Sequence, residues 1–216
     1  MIVVFHFASA LAGRYKRINK LLVKSHDLHN IINNFIPRGS TERISNLKSI
    51  KEVTDYYLLL SELVDMFNKL FGWQVFFATE NIIVLLLDVS NSLMLSTDRN
   101  QKISEINNNF RTIFCLISIS IIMIIFHSRV ILHCEDVNEE SRRTLTICYN
   151  LQQTVGPDSE ERKELIILSE VVTLLKTRTN AAGFYYLDRG LLSRVFAYLF
   201  SYSIVLVQFN KQPVSK

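Results

Sequence analysis

The chain has 216 residues, of which 49% are apolar and only 20% are charged, and its mean hydropathy is +0.19. Soluble domains carry about 25% charged residues, so this composition excludes a disordered chain and favours a protein that resides in a membrane. A net charge of +4 is too small to indicate a nucleic-acid partner unless the charges cluster. The odd number of cysteines, with no C-x-x-C pair, predicts reduced thiols.

Four apolar bands lie along the chain, and charged segments separate them. The bands cover residues 1–13, 72–95, 112–126 and 195–210. A membrane-spanning helix needs about 20 apolar residues, and basic residues that flank a shorter band can snorkel to the interface and lengthen the span. These flanking residues are Arg111, Arg129, Arg194 and Lys211. The bands therefore favour membrane-spanning helices over the alternative, buried helices of a soluble α-protein.

The distribution of basic residues predicts the orientation of these spans. Residues 14–55 contain nine Lys and Arg and residues 129–178 contain seven, whereas residues 96–111 contain three. Loops rich in Lys and Arg stay on the cytoplasmic side. The first and third loops are therefore predicted inside, the second outside, and the C-terminus outside.

The first band has a second interpretation as a signal peptide, since Ala8-Ser9-Ala10 resembles a cleavage site. However, no basic residue precedes its apolar part, and a basic run follows it. We therefore interpret residues 1–13 as the end of a helix that enters from outside, and we expect the chain to begin inside a larger protein.

The second band continues a longer helical pattern. Residues 53–95 contain no proline and one glycine, Gly72, and their first half carries an apolar stripe at helical spacing with charged residues between. This pattern predicts a helix that packs against other helices in water before Gly72 and enters the membrane after it.

The last band is preceded by a second helix of the same kind. Residues 156–158 form a break, and Asp158 with Glu161 is predicted to cap the helix that follows. Its predicted inward face consists of Leu165, Leu168, Val171, Val172 and Leu175. Residues 180–183 interrupt this helix before the membrane, and Asp188 is predicted to cap the final one.

Together these elements predict an all-α fold, a polytopic membrane helical bundle with long cytosolic helix extensions. The spans are predicted at residues 72–95, 110–131 and 189–210, with a partial span at 1–13. The extensions, predicted at 14–70 and 130–180, are longer than loops need and carry apolar stripes. This favours self-association through a cytosolic helical anchor, and the alternative is a packed loop within one subunit.

The end of the chain carries a motif: Ser201-Tyr202, five mostly apolar residues, then Gln208-Phe209. It resembles the C-terminal signature of insect gustatory receptors, which has Thr at the position of Ser201. Two further segments are similar to elements of that family. One consists of residues 181–184 and 187–189, which precede the last helix and include Gly183, Phe184 and Asp188. The other is residues 68–72, which resemble the cytoplasmic start of the family's fifth span.

The resemblance covers about residues 10–210 and implies a receptor with seven spans, a cytosolic N-terminus and an extracellular C-terminus. This chain would hold the end of span four and spans five to seven. The family implies a ligand-gated, nonselective cation channel of the plasma membrane that detects tastants. The implied partners are a small tastant molecule, cations, membrane lipid and other receptor subunits in a homo- or heterotetramer, with the last helix of each subunit lining the pore.

Three residues near the end of the last predicted helix are candidates for the pore or gate. Val205, Gln208 and Phe209 have i, i+3, i+4 spacing and share one helix face. The Gln208 carboxamide could coordinate partly hydrated cations while Val205 or Phe209 forms an apolar constriction. The alternative is an ordinary end of a span at the membrane interface.

The fifth predicted span carries candidates for a ligand pocket or a cation path. They are Trp73, Phe76, Phe77, Glu80 and Asp88. Ionisable groups within a span are costly and usually face a cavity or a partner. The alternatives are a hydrated Asp88 in the outer interface and aromatic side chains that only pack or anchor.

No enzyme motif, cofactor site or metal site is predicted. His26 and His29 are three residues apart, but the basic segment around them lacks a third ligand. Two other functions remain open: an odorant receptor of the same superfamily, and a helical membrane scaffold that conducts no ions.

Overall fold

The structure, a computed structural model, describes the backbone of residues 1–35, 40–96 and 103–210 and the side chains of residues 1–24, 50–92, 111–205 and 208. The described residues form five α-helices and one short hairpin. In chain order the elements are α1 (Ile2–Phe35), α2 (Ser40–Ser96), α3 (Ile103–Thr154), α4 (Glu160–Leu175), β1 (Asn180–Ala181), β2 (Tyr185–Tyr186) and α5 (Arg189–Asn210).

Helices α2 and α3 are far longer than a membrane is thick. They contain 57 and 52 residues, which at 1.5 Å per residue gives about 86 and 78 Å, against about 30 Å for the hydrocarbon core. Among the described residues, Ile50–Ser92 and Arg111–Thr154 are long and apolar enough to cross a membrane. The predicted long helix through Gly72 is confirmed, and it begins at Ser40 rather than at residue 53.

The final helix, α5, coincides with the last predicted span. It contains 22 residues, or about 33 Å of helix, which is close to the thickness of the hydrocarbon core. Large apolar side chains such as Phe196, Tyr198 and Phe200 are exposed along it. A helix that presents such residues outward is typical of a surface that meets lipid or another helix.

The chain divides into two compact units, and helices α2 and α3 contribute to both. The span unit comprises Met1, Trp73–Leu132 and Asp188–Lys216. The extension unit comprises Ile2–Gly72 and His133–Leu187. With five α-helices and one short hairpin among the described residues, the predicted all-α membrane bundle is confirmed.

The core of the extension unit contains aromatic and aliphatic side chains from α1, α2 and α4. Tyr15 and Tyr57 are fully buried and meet edge to face, with ring centroids 5.6 Å apart. Leu165, Leu168 and Val172 are the buried apolar residues of α4. Of the other two residues predicted on its inward face, Val171 is half-buried and Leu175 is 41% exposed, because the helix ends at Leu175.

Polar contacts also cross this core. The Asn19 carboxamide donates to the Glu140 backbone oxygen at 2.9 Å and to its carboxylate at 2.8 Å. Thr144 donates to the Asn19 carboxamide oxygen at 2.7 Å, and the hydroxyls of Tyr57 and Ser141 lie 2.7 Å apart. Buried polar groups cost free energy unless they are paired, so these contacts fix α1 and α2 against α3 in one register.

The start of α1 packs beside the part of α2 that precedes Gly72. The Phe7 ring stacks on Phe67, with centroids 5.8 Å apart, and lies 5.9 Å from Phe71. The Tyr15–Tyr57 contact shows that the two helices run antiparallel. Residues 2–13 therefore pack within the extension unit, beside the part of α2 that precedes Gly72.

Helix α4 begins one residue later than the predicted cap. Ser159, not Asp158, is the N-cap, and its hydroxyl accepts from the Arg162 backbone N–H at 3.2 Å. Asp158 lies in the preceding turn. Glu160 and Glu161 occupy the first turn, where acidic side chains interact favourably with the helix dipole.

The predicted interruption at residues 180–183 is a β-hairpin. Asn180 pairs with Tyr186 and Ala181 with Tyr185, and the Phe184 N–H donates to the Ala181 oxygen at 2.9 Å. The two residues between Ala181 and Phe184 are Ala182 and Gly183. Both have positive φ, at 51° and 82°, as the central residues of a type I′ turn require.

Candidate functional site

Asn68, on α2, binds the chain as it enters the hairpin. Its amide nitrogen donates to the Arg178 oxygen at 2.9 Å, and its carboxamide oxygen accepts from the Asn180 N–H at 3.0 Å. One side chain thus satisfies two backbone groups on either side of Thr179. The Arg178 guanidinium also lies over the Tyr186 ring, 5.2 Å from its centroid, a cation–π geometry.

Asn138, on α3, binds the residues that flank the two strands of the hairpin, Thr179 before β1 and Leu187 after β2. Its carboxamide oxygen accepts from the Thr179 N–H at 2.9 Å and from the Thr179 hydroxyl at 3.3 Å, while its amide nitrogen donates to the Leu187 oxygen at 3.2 Å. Asn138 is only 4% exposed. A second backbone bond, from Leu187 N–H to the Thr179 oxygen at 3.1 Å, closes the base of the hairpin.

The backbone of the hairpin approaches α2 closely at Gly72. A Cβ atom at this position would lie 2.6 Å from the Ala182 nitrogen and 3.1 Å from its Cα. Only glycine lets the two backbones approach this closely. The structure therefore brings together two stretches that the sequence analysis singled out separately, 68–72 and 181–184, and we call this group with Asn138 the hairpin clamp.

The other residues of the family resemblance have clear positions around the last helix. Gly183 adopts its positive φ at the hairpin turn, and Phe184 beside it is 64% exposed. The Asp188 carboxylate accepts from the Leu191 N–H at 2.8 Å, which confirms the predicted cap of α5, and from the Arg194 guanidinium at 3.1 Å.

The candidate gate residues lie near the end of α5. Val205 is 43% exposed and Gln208 is exposed, while the side chain of Phe209 lies outside the described residues. In the motif itself, Ser201 donates to the Ala197 oxygen at 2.9 Å, and Tyr202 is 41% exposed. The Ser201 hydroxyl is thus satisfied within its own helix, whereas Val205 and Gln208 face outward.

The candidates for a ligand pocket or cation path lie on the outer side of α2. Trp73 stacks on Phe77 with centroids 5.8 Å apart, and Phe76 meets Trp73 edge-on at 5.9 Å. Trp73, Phe77, Glu80 and Asp88 are all exposed, and their i, i+4, i+7 and i+15 spacing places them on one helix face. The structure therefore collects these residues on one open face and not inside a cavity.

A cavity does occur within the span unit, between α2, α3 and α5. It is partly open to the surroundings and has room for about one water molecule, and its lining includes Thr79, His127 and Phe196. The Thr79 hydroxyl and the His127 Nε2 atom are 2.9 Å apart, and both residues are buried.

Sequence reasoning missed Asn138, Thr79 and His127. Each is a polar residue that is at least 95% buried; Thr79 and His127 stand in apolar stretches of sequence, whereas Asn138 is flanked by acidic residues and gives no such signal. A polar residue within an apolar stretch is a usable signal, because buried polar groups usually have a hydrogen-bond partner. It does not name the partner, which lies 41 residues away for Asn138 and 48 for Thr79.

No metal site appears among the described residues, in which no three His, Cys, Asp or Glu side chains converge. The side chains of His26 and His29 lie outside the described residues. Of the three cysteines, all of them free, Cys115 is exposed while Cys134 and Cys148 are buried.

The chain matches the family described as 7tm Chemosensory receptor over residues 1–213. No curated protein matches it significantly. The matched family is one of membrane receptors and not of enzymes. Because the match covers almost the whole chain, the protein belongs to the 7tm chemosensory receptor family.

Proposed function

We propose that the chain acts as a subunit of a ligand-gated, nonselective cation channel that detects tastants at the plasma membrane. Membership of a chemosensory receptor family supports the sensory part of this proposal. The observation that carries the channel part is the end of α5, where Val205 and Gln208 face outward on a helix long enough to span the membrane. The C-terminus of α5 would then lie outside the cell.

In the proposed assembly, α5 helices from four identical or related subunits surround a central pore. Gln208 would present a ring of carboxamide oxygens to partly hydrated cations, and Val205 with Phe209 would form the apolar constriction. Polar rings beside apolar rings are a common way to combine ion selection with a gate.

The proposed tastant-binding region includes the open face of α2. Glu80 and Asp88 are exposed there together with Trp73 and Phe77. A carboxylate at membrane depth is costly in lipid and is expected to face a cavity, an aqueous path or another protein surface. Aromatic rings beside these carboxylates suit a small polar ligand with an apolar body.

The proposal is tested by recording whole-cell currents from cells that express the receptor. Gln208→Ala and Phe209→Ala are expected to alter ion selectivity or resting leak, because each removes a side chain of the proposed gate. Ser203→Ala is the matched control, since Ser203 lies on the opposite side of the helix and its hydroxyl donates to the Leu199 oxygen at 2.9 Å. Unchanged currents in both gate variants, at normal surface expression, would remove the gate assignment.

The same recordings distinguish the other candidate functions. Currents evoked by sugars or bitter compounds support a gustatory receptor. Responses to volatile compounds alone would instead indicate an odorant receptor. A receptor that reaches the surface and passes no current with any ligand would indicate a scaffold.

A further inference from the structure

The β-hairpin lies at the end of the extension unit where the chain leaves that unit. The Ala182 backbone closely approaches Gly72, the last residue of α2 in the unit. The Thr179 hydroxyl donates to the oxygen of Cys134 at 3.3 Å, near the first residues of α3 in the unit. Leu187, directly after β2, is the last residue of the unit before α5. The hairpin therefore lies beside the points where α2 and α3 leave the extension unit, and α5 begins directly after it.

Two aromatic side chains of the hairpin are exposed together with a basic one. Phe184 is 64% exposed and Tyr186 is 52% exposed, whereas Tyr185 between them is half-buried. Residues two apart along an extended chain point to the same side, so Phe184 and Tyr186 share one surface. The Arg178 guanidinium lies over the Tyr186 ring, 5.2 Å from its centroid, and adds a positive charge. We call Arg178, Phe184 and Tyr186 the hairpin face.

The segment that carries the hairpin face is basic throughout. Residues 171–187 contain Lys176 and Arg178 but no Asp or Glu, and both cations are exposed. The next acidic residue along the chain is Asp188, whose carboxylate is paired with the Arg194 guanidinium at 3.1 Å. An anionic partner of the hairpin face would therefore meet two cations and no carboxylate within this segment.

The covalent chain holds the hairpin face close to a membrane-spanning helix. Phe184 precedes Arg189, the first residue of α5, by five residues, and five residues extend over at most about 18 Å. Helix α5 is long enough to cross the hydrocarbon core, so Arg189 lies at or near one membrane surface. Aromatic and basic side chains are typical of this boundary, where rings lie at the level of the headgroups and cations meet the phosphates.

We propose that the hairpin face binds the headgroup layer of the membrane. Phe184 and Tyr186 insert at the boundary with the hydrocarbon, and Lys176 and Arg178 bind the headgroups of anionic phospholipids. Such lipids are found in the cytoplasmic leaflet, and the orientation of α5 in the proposed function places the hairpin on that side. The inference rests on that orientation, but its test uses membranes with the same lipids on both sides and requires neither a ligand nor a current.

The test is tryptophan fluorescence of the purified receptor in lipid nanodiscs. Trp73 is the single tryptophan, so Phe184→Trp in a Trp73→Phe background reports on the hairpin alone. We expect its emission to be quenched by phospholipids that are brominated in the upper part of their acyl chains. Tyr149→Trp in the same background is the control and is expected to remain unquenched. Tyr149 is exposed, and it lies 17 residues, about 25 Å along α3, beyond the last α3 residue of the span unit, Leu132.

A second reporter covers the case in which Phe184→Trp does not fold. Tyr186→Trp keeps an aromatic ring beneath the Arg178 guanidinium, and tryptophan is the strongest cation–π partner. We expect the same quenching from this position.

Charge variants measure the preference for anionic lipid. Energy transfer from the tryptophan of Phe184→Trp to dansyl-labelled phosphatidylserine, relative to dansyl-labelled phosphatidylcholine, reports how far the anionic lipid is enriched at the hairpin. Lys176→Gln and Arg178→Gln are each expected to lower this enrichment about fivefold, because one basic residue near an anionic surface contributes about 1 kcal/mol. Lys51→Gln is the matched control, since Lys51 is exposed on α2 about 31 Å of helix before Gly72.

Four results would overturn the proposal. An unquenched reporter with the emission of an exposed indole would mean that the hairpin face meets water. An unquenched reporter with blue-shifted emission would mean that a second copy of the chain covers it. Equal quenching of Tyr149→Trp would mean that the lipids reach the whole extension unit. Quenching with no enrichment of phosphatidylserine, or with an enrichment that neither charge variant lowers, would mean that the rings insert without recognition of anionic lipid.

Discussion

The Asn180 backbone N–H donates to the carboxamide oxygen of Asn68 at 3.0 Å, across 112 residues of sequence. The nitrogen of the same carboxamide donates to Arg178 at 2.9 Å. The Arg178 oxygen and the Asn180 N–H have no helical partner, because the chain has left α4 at this point, and Asn68 supplies a hydrogen bond to each of them. The hairpin that precedes α5 is held by side chains of α2 and α3.

Asn68→Ala is expected to destabilise the extension unit by about 1–2 kcal/mol, because two backbone groups lose their partners at a partly exposed site. The change is measured as a lower unfolding temperature of the purified receptor in neutral detergent. Asn81→Ala is the control, since Asn81 is an exposed residue of the same helix. Equal shifts for the two variants would show that the Asn68 contacts contribute nothing specific.

Asn138→Asp tests the buried half of the hairpin clamp. The carboxylate can still accept from Thr179, but it cannot donate to the Leu187 oxygen, which lies 3.2 Å from the present amide nitrogen. At 4% exposure a charged group is also poorly solvated. We expect a loss of about 3 kcal/mol or more at neutral pH.

The pH dependence of the Asn138→Asp variant identifies the cause of its instability. Protonation restores a donor toward Leu187 and removes the buried charge, so its unfolding temperature is expected to rise toward that of the parent as the pH falls. Asn138→Ala has no titratable group and is expected to show no such recovery. If the unfolding temperature of Asn138→Asp were lowered equally at acidic and at neutral pH, the result would contradict the proposed hydrogen bond to Leu187.

The local features of the fold could be predicted from the sequence. Helical periodicity and the absence of proline predict the long α2 helix, and a carboxylate before an apolar run predicts the Asp188 cap. These signals act over a few residues. The interruption after α4 was also predictable, since residues 180–183 do not favour a helix.

Features fixed by distant partners could not be predicted. Residues 180–183 indicate a turn, since the Asn180 carboxamide oxygen accepts from the Gly183 N–H at 2.9 Å, but they do not specify where the hairpin packs, because Asn68 and Asn138 supply those partners from other helices. The register of α1 depends in the same way on aromatic contacts with α2, such as Phe7 with Phe67. At the candidate gate, the sequence predicts which face carries Val205 and Gln208, but a pore also depends on neighbouring subunits.

Alkaline pH is expected to destabilise the extension unit through its buried thiols. Burial raises the pKa of Cys134 and of Cys148 to about 12, whereas each thiol ionises near pH 9 in the unfolded chain. The folded state therefore holds both protons longer. Below about pH 9 the two thiols do not lower the free energy of unfolding. Above about pH 9 this free energy decreases by about 1.4 kcal/mol per pH unit for each thiol, until the pKa of the folded state is reached.

Cys148→Ala is expected to reduce this alkaline loss, because one of the two titrating groups is removed. The measurement is the unfolding temperature between about pH 8 and pH 11, each value taken relative to the same variant at neutral pH. Cys115→Ala, at an exposed position, is the control. An identical pH dependence in parent and Cys148→Ala would exclude a contribution from this thiol.

Gly72→Ala and Gly13→Ala are expected to change stability in opposite directions. Both glycines lie within helices, where alanine is favoured by about 1 kcal/mol. At Gly13 no atom lies within 4 Å of the new Cβ, so the gain remains. At Gly72 the Cβ would meet the Ala182 backbone at 2.6 Å, and no side-chain rotation can relieve this clash. We expect a net loss of about 1–3 kcal/mol there.

The double variant Asn68→Ala with Gly72→Ala shows whether both residues act through the hairpin. If Gly72→Ala displaces the hairpin, the Asn68 hydrogen bonds are already lost, and the second substitution adds little. The combined shift in unfolding temperature is then smaller than the sum of the two single shifts, as expected for residues that share one contact. Additive shifts, or a Gly72→Ala variant as stable as Gly13→Ala, would mean that the hairpin does not pack against α2 at this point.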